Sequence, residues 1–380
     1  MESDSALVES FRSSVHATIG CHGCHGGNPN EPTEDAMFAA EDFKGKPDRK
    51  NVPEFCGGCH SDVRKMNPFG LRTDQLAQYK TSKHGEMLFG KGDENVAVCI
   101  DCHGGAHQIL RPKDPASPVH PTNVPATCGR CHSDEKKMPK YHVPATIPGD
   151  YEKSVHAAAL RVRKDLSAPT CVTCHGNHGA TPPGVRDVSE ICGRCHVREA
   201  EAFSKSPHAS ATAGGKMKAC ISCHSNHAIH HPTDELLRTA CADCHKKADD
   251  PALQVRDEFL AGIGQIRRDI DSTRDLVQSA AERGFEVGEE QVRVEEAKTA
   301  FIALTPAQHA LNLADLSKAL RETETRQDDI QRSIKEKILG ETVRRMIFLP
   351  AVIILVLLSI AFAAKRAEIE HSRRGNGNGG

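Results

Sequence analysis

The sequence predicts a mainly α and irregular chain in three parts. A loop-rich region cored by bound prosthetic groups comes first, then a helical hairpin or stalk, then one C-terminal transmembrane helix. Three observations carry this. All sixteen cysteines fall into eight Cys-x-x-Cys-His motifs between Cys21 and His245. After Pro251 these give way to apolar residues at helical spacing. From Met346 to Ala364 the chain holds no charge.

The 380 residues leave room for one or two domains. Aromatic residues make up only 4% and tryptophan is absent, so a core of ordinary side chains would be thin. The net charge of −2 is not that of a nucleic-acid binder. Twenty-two histidines are an excess that asks for a chemical reason.

From Ser14 to about Lys247 the chain is rich in Gly, Pro, Asn and Asp, the composition of loops and short helices. A doubled unit recurs four times, irregular in length and regular in grammar. The first module has Ser14-Val15-His16, then Cys21/Cys24/His25, then Cys56/Cys59/His60. The second has Ser82-Lys83-His84, then Cys99/Cys102/His103 with His107, then Cys128/Cys131/His132. The third has Ser154-Val155-His156, then Cys171/Cys174/His175 with His178, then Cys192/Cys195/His196. The fourth has Ser206-Pro207-His208, then Cys220/Cys223/His224 with His227, then Cys241/Cys244/His245.

In this pentapeptide the two thiols add to the vinyl groups of a haem, and the adjacent histidine is held under the iron. Eight motifs therefore imply eight haem c groups, whose macrocycles would supply the buried apolar surface that the side chains lack. Zinc is the competing reading, because Cys-x-x-Cys is also a zinc half-site. A zinc site gives no reason for a histidine directly after every pair, and all eight carry one.

Each iron has a sixth position, and the histidines outside the motifs exceed the need. His16, His84, His156 and His208 share the Ser-x-His slot ahead of each module and are the first candidates. His107, His178 and His227 follow a motif closely and are expected to reach a neighbouring haem. The eighth ligand is assigned to His142, in competition with His120, His230, His231 and the remote His309. Met87 and Met217 lie near motifs, but the histidine surplus argues against them. Two imidazoles per iron imply six-coordinate haems of low potential.

Residues 1–250 form the expected haem region, 251–345 the stalk, 346–364 the membrane span and 365–380 a tail without regular structure. In the stalk, Phe259, Ile263, Ile266, Ile270 and Val277 share one helical face, and Gly284 and Gly288 break the pattern. A second helix is expected from Glu289 to about Ala303. A third is expected from Pro306, capped by Thr305, with Leu313, Leu316, Leu320, Ile330 and Ile334 inward. The apolar run suits a bilayer crossing, with Pro350 near its start. Basic residues are nearly balanced on its two sides: Arg332, Lys335, Lys337, Arg344 and Arg345 before, Lys365, Arg366, Arg373 and Arg374 after. Haem attachment decides the orientation instead, because it normally follows export. The haem region is expected on the periplasmic side of a bacterial cytoplasmic membrane, with the C-terminus cytoplasmic. The opening MESDSALVES lacks the basic start and apolar stretch of a signal peptide. The sequence is therefore expected to be a processed form or to lack an upstream segment.

Residues 14–247 resemble the multihaem c-type cytochromes of the doubled Cys-x-x-Cys-His class, which carry electrons across the periplasm. The haem motifs and Ser-x-His slots are similar to those of NapC/NirT-type quinol dehydrogenases, whose anchor is N-terminal where this one is C-terminal. The resemblance implies an electron-transfer subunit rather than an enzyme by itself. Its electrons would come from a quinol-oxidising membrane partner of cytochrome b type and pass to a periplasmic acceptor. The alternative is a catalytic multihaem oxidoreductase acting on nitrogen or sulfur compounds, similar to hydroxylamine oxidoreductase or to nitrite and tetrathionate reductases. The reductases typically mark the active haem with Cys-x-x-Cys-Lys, which does not occur here. The hydroxylamine enzymes use a tyrosine crosslink, and this chain offers Tyr79, Tyr141 and Tyr151 alone.

Overall fold

A computed structural model describes residues 2–38, 41–182 and 188–375. The described residues form helices, turns and loops, with no strand among them. They divide into two compact units. One comprises Met1–Cys195 and Ser210–Leu236, the other His196–Ala209 and Leu237–Gly380.

The second unit is built on three helices: α1 (Pro251–Glu282), α2 (Gly288–Leu304) and α3 (Leu313–Gly375). Asp250 starts α1 by accepting the Ala252 N–H at 2.9 Å, and Pro251 follows where a missing N–H costs nothing. Gly284, at φ 84°, turns the chain after its end. The apolar face read from the sequence is the buried face. Phe259, Ile263, Ile266 and Ile270 pack with Leu316, and Val277 packs with Val294, Ile330 and Ile334. Gly262 lets α3 come close, because a Cβ there would lie 3.1 Å from Leu316. Between α2 and α3 sits one buried charge. The Glu290 carboxylate accepts from Lys337 Nζ at 2.8 Å and from the Ser333 hydroxyl.

The third helix departs from expectation at both ends. Residues Thr305–Ala310 form a 3₁₀ turn, Leu311 adopts φ 53°, and α3 begins only at Leu313. The reason is local: the Asn312 side chain accepts the Ala314 N–H at 3.0 Å and caps the helix there. At the other end α3 runs without a break through Pro350 and the apolar stretch to Gly375. The segment after Lys365 thus continues the helix where a tail without regular structure was expected; residues 376–380 lie outside the described residues. The apolar stretch reaches a mean hydropathy of 2.9 and buries none of it against the protein. Phe362 is 78% exposed and Leu355 63%. A single exposed stripe of that length is consistent with single-pass membrane anchoring.

The first unit holds short helices joined by turns. Its apolar clusters are small: Val52, Leu88, Val96 and Val98 form one, Ala159, Leu160 and Ala168 another. Backbone hydrogen bonds between distant loops do much of the joining, and these position the candidate site.

Candidate functional site

The cysteine motifs sit on short helical segments, among them Gly20–His25, Val52–His60, Cys99–His103, Val124–His132 and Cys171–His175. A helical turn brings residues i, i+3 and i+4 to one side, so two thiols and an imidazole face the same way. None of the sixteen cysteines is spent on a disulfide. In the first three modules a glycine follows the first motif's histidine. Gly26, Gly104 and Gly176 have φ of 70°, 93° and 81°, and Ser225 takes the same place at 65°. At Gly26 a Cβ would meet the Asp42 carbonyl oxygen at 2.2 Å. The glycine lets the chain turn sharply away from the face it has just built.

A haem-cored region leads one to expect sheltered attachment cysteines, and the protein's own side chains shelter only some of them. Ten of the sixteen are half-buried, whereas Cys21, Cys102, Cys174, Cys195, Cys223 and Cys244 are exposed. The reason is the shortness of the segments that carry them, since one or two helical turns offer little surface to cover both thiols of a motif. Cys223 shows this most plainly. It lies on the four-residue helix Ile221–His224, and its half-buried motif partner Cys220 stands just outside as the N-cap. Its exposure is a departure from the expected shelter; its place three residues after Cys220 and directly before His224 keeps the geometry of the motif.

The Ser-x-His slots have a structural logic that the sequence reading did not reach. Ser82 Oγ accepts the Gly85 N–H and Ser154 Oγ the Ala157 N–H, each at 3.0 Å. Ser14 Oγ accepts the His16 N–H at 3.3 Å. The serine caps the turn that presents the histidine, and its recurrence two residues ahead was the available signal.

Six pairs of imidazoles among the described residues each join one motif histidine to one histidine outside the motifs. His16 faces His60, His84 faces His132, and His208 faces His245, with ring centroids 6.0, 6.2 and 6.3 Å apart. Slot histidines thus meet the second motif of their own module. His107 faces His25, His178 faces His103, and His227 faces His175, at 6.2, 6.0 and 5.9 Å. Histidines that follow a first motif thus meet the first motif of the preceding module. The two sets also differ in angle. The first set is crossed, at 67°, 57° and 53°; the second is nearly parallel, at 29°, 12° and 7°.

A repeated backbone clasp explains the cross-module pairs. Val15 N–H donates to the Ile109 carbonyl at 2.9 Å, Lys83 N–H to Ala180 at 3.0 Å, and Val155 N–H to Ile229 at 2.8 Å. In each case the middle residue of a Ser-x-His slot grips the chain just beyond the following module's extra histidine. The fourth slot has Pro207 in that middle position, which has no N–H to give. The first module correspondingly has no histidine shortly after His25, since no module precedes it.

Neighbouring motifs also touch through sulfur. The Cys99, Cys128 and Cys192 thiols are pushed up, first by hydrogen bonds with Cys56, Cys171 and Cys220 and then by burial. Desolvation by the surrounding protein raises Cys24, Cys102 and Cys174 as well, and each feels the other motif of its own module through Cys59, Cys131 and Cys195. Helix Val52–His60 packs on Cys99–His103, which packs on Val124–His132, which packs on Cys171–His175. Within the first unit the motifs are therefore neighbours in space in the order they have in sequence.

The imidazoles are in the right protonation state for metal binding. Burial first, and the facing imidazole second, lower the pKa of His16, His84, His103, His208 and His227. Neutral rings keep a lone pair for a metal. Some motif histidines are also steered through Nδ1: His25 lies 2.8 Å from the Gly45 carbonyl oxygen, His175 3.2 Å from that of Thr181, and His245 2.9 Å from Asp250 Oδ2. That leaves Nε2 directed to the facing ring.

The remaining candidates are placed as follows. His156 rides on the helix capped by Ser154, and His196 precedes helix Val197–Ser204. His224 ends helix Ile221–His224, directly after Cys223. His142 is exposed at φ 55°, beyond the turn Met138–Tyr141, and is in none of the six pairs. His120 is buried, with Nδ1 2.7 Å from Thr122 Oγ1. His309 Nδ1 is 3.1 Å from the Pro306 carbonyl oxygen.

The residues present fit haem c. An imidazole nitrogen stands about 2 Å from a metal it ligates and the ring centre about 1 Å beyond, so two rings sharing one ion have centroids about 6 Å apart. The six pairs show that spacing, and each has a Cys-x-x-Cys beside it. Residues 191–264 match the family model described as cytochrome c554 and c-prime. No curated protein and no solved structure matches the chain. The matched segment includes the motifs of Cys192, Cys220 with Cys223, and Cys241, and supports a c-type cytochrome, with covalently bound haem and a role in electron transfer.

Proposed function

We propose that this chain is a membrane-anchored octahaem electron conduit. It would take electrons from a quinol-oxidising membrane partner of cytochrome b type and deliver them to a periplasmic acceptor. The observation that carries this is the set of six histidine pairs. Each pair closes both axial positions of an iron, and a metal without an open position passes electrons rather than binding a substrate. When bound, haem supplies one-electron chemistry.

The residues divide the work. The motif cysteines tether each macrocycle, the motif histidines hold one axial position, and His16, His84, His107, His178, His208 and His227 hold the other. His156 occupies the same capped slot and is given the same kind of role. The contact of successive motifs through sulfur favours one path in sequence order, because electron exchange falls steeply with the separation of macrocycle edges. The apolar part of α3 anchors the chain in a bacterial cytoplasmic membrane, with the haem region periplasmic and the C-terminus cytoplasmic.

The purified protein is expected to carry eight haems by intact mass and to show only low-spin ferric signals by electron paramagnetic resonance. Two classes should appear, since crossed imidazole planes give a larger maximum g than parallel ones. His84→Ala should turn one haem high-spin. A substantial high-spin signal in the native protein, or cyanide binding at one iron, would sink the conduit reading in favour of a catalytic one.

A further inference from the structure

The last motif differs from the others in what its histidine leans on. His245 sits just beyond helix Asp234–Cys244, and its ring faces His208 at 6.3 Å. Its Nδ1 lies 2.9 Å from Oδ2 of Asp250. The other oxygen of that carboxyl accepts the Ala252 N–H at 2.9 Å, the cap of α1. The carboxylate is therefore held by the start of the stalk helix and cannot swing away freely. His25 and His175 have neutral backbone carbonyls in the same role, Gly45 and Thr181. A charged acceptor draws the Nδ1 proton more strongly than a neutral one, and the ring becomes a more basic ligand through Nε2. A more basic ligand favours the ferric over the ferrous state.

We propose that Asp250 is a positioning residue that gives the haem on Cys241 and Cys244 the lowest potential of the chain. The proposal rests on the conduit reading above and adds a direction to it. The eighth motif lies at one end of the sequence order, so a low potential there makes it the donor end. For each electron that leaves this site the next acceptor gains one, with no bond made or broken.

The test is a spectropotentiometric titration of the full-length haem-loaded protein in detergent, comparing Asp250→Asn and Asp250→Ser with the native chain. Serine is a good helix cap, so a shift shared by both variants does not come from losing the cap of α1. The lowest one-electron wave should move to higher potential by at least a tenfold change in the reduced-to-oxidised ratio, about 59 mV. Glu282→Gln, at the far end of α1, should leave every wave in place. If the lowest wave stays put in both Asp250 variants while haem content and low-spin signals are retained, the assignment is wrong. If mass analysis of the native chain finds no haem on Cys241 and Cys244, the conduit reading itself fails.

Discussion

The three-helix stalk and the cysteine-rich unit hold themselves together by different means. In the stalk, Phe259, Ile263, Ile266 and Ile270 bury a continuous apolar face against Leu316, as ordinary helical proteins do. In the cysteine-rich unit the larger described apolar cluster has four fully buried members, Val52, Leu88, Val96 and Val98. Its order rests on capped turns, on clasps between distant loops, and on histidine pairs with room for a metal between them. A chain can thus be folded in one part by its own side chains and in another by what those side chains bind.

The largest expected effect separates the two directly. Made without the haem-attachment machinery, the chain should keep the helical signal of its stalk and lose order elsewhere. Limited proteolysis should leave a fragment beginning near residue 250; protection of residues 14–247 to the same degree would break the contrast. A smaller effect comes from the stalk's own core. Ile266→Ala, at a position 1% exposed, should cost about 2–5 kcal/mol in denaturant unfolding of the helices, with haem spectra unchanged. Loss of a haem band would mean that the two parts are not held independently.

The smallest effect tests the clasp alone. Val155 is the first residue of helix Val155–Arg161, where proline is well tolerated, and its N–H bonds to Ile229. Val155→Pro should cost about 0.5–1.5 kcal/mol relative to Val155→Ala. It should also speed hydrogen exchange around Ser154–Leu160. Equal behaviour of the two variants would show that the clasp adds nothing to the order of the modules. Pro207 already stands in the equivalent place of the fourth slot, so the native chain carries one instance of this substitution.

Much of the site was legible because its chemistry is local. Cysteine, cysteine and histidine at i, i+3 and i+4 make one face on one turn of helix, so the attachment motifs are readable without any fold. How far each thiol is sheltered was not legible, because that depends on what packs over the turn: Cys220 is half-buried and Cys223, three residues on, is exposed. The stalk was legible for the same reason as the motifs, since its apolar residues recur at the helical period. The start of α3 was misjudged because Thr305-Pro306 and Asn312 both read as helix openings, and the turn between them, ending at Leu311 with positive φ, decided for Asn312.

By itself the sequence determined how many attachment motifs there are, which histidines belong to them, and where an apolar helix could enter a membrane. These follow from bonds and periodicities spanning a few residues. Only the tertiary structure decided which histidine faces which motif. His107 reaches back to His25, and His178 to His103, because a backbone clasp between modules brings far-separated loops into register. No spacing along the chain encodes that distance. The same holds for Asp250, which reads in sequence as the cap of a helix and in space also as the partner of His245.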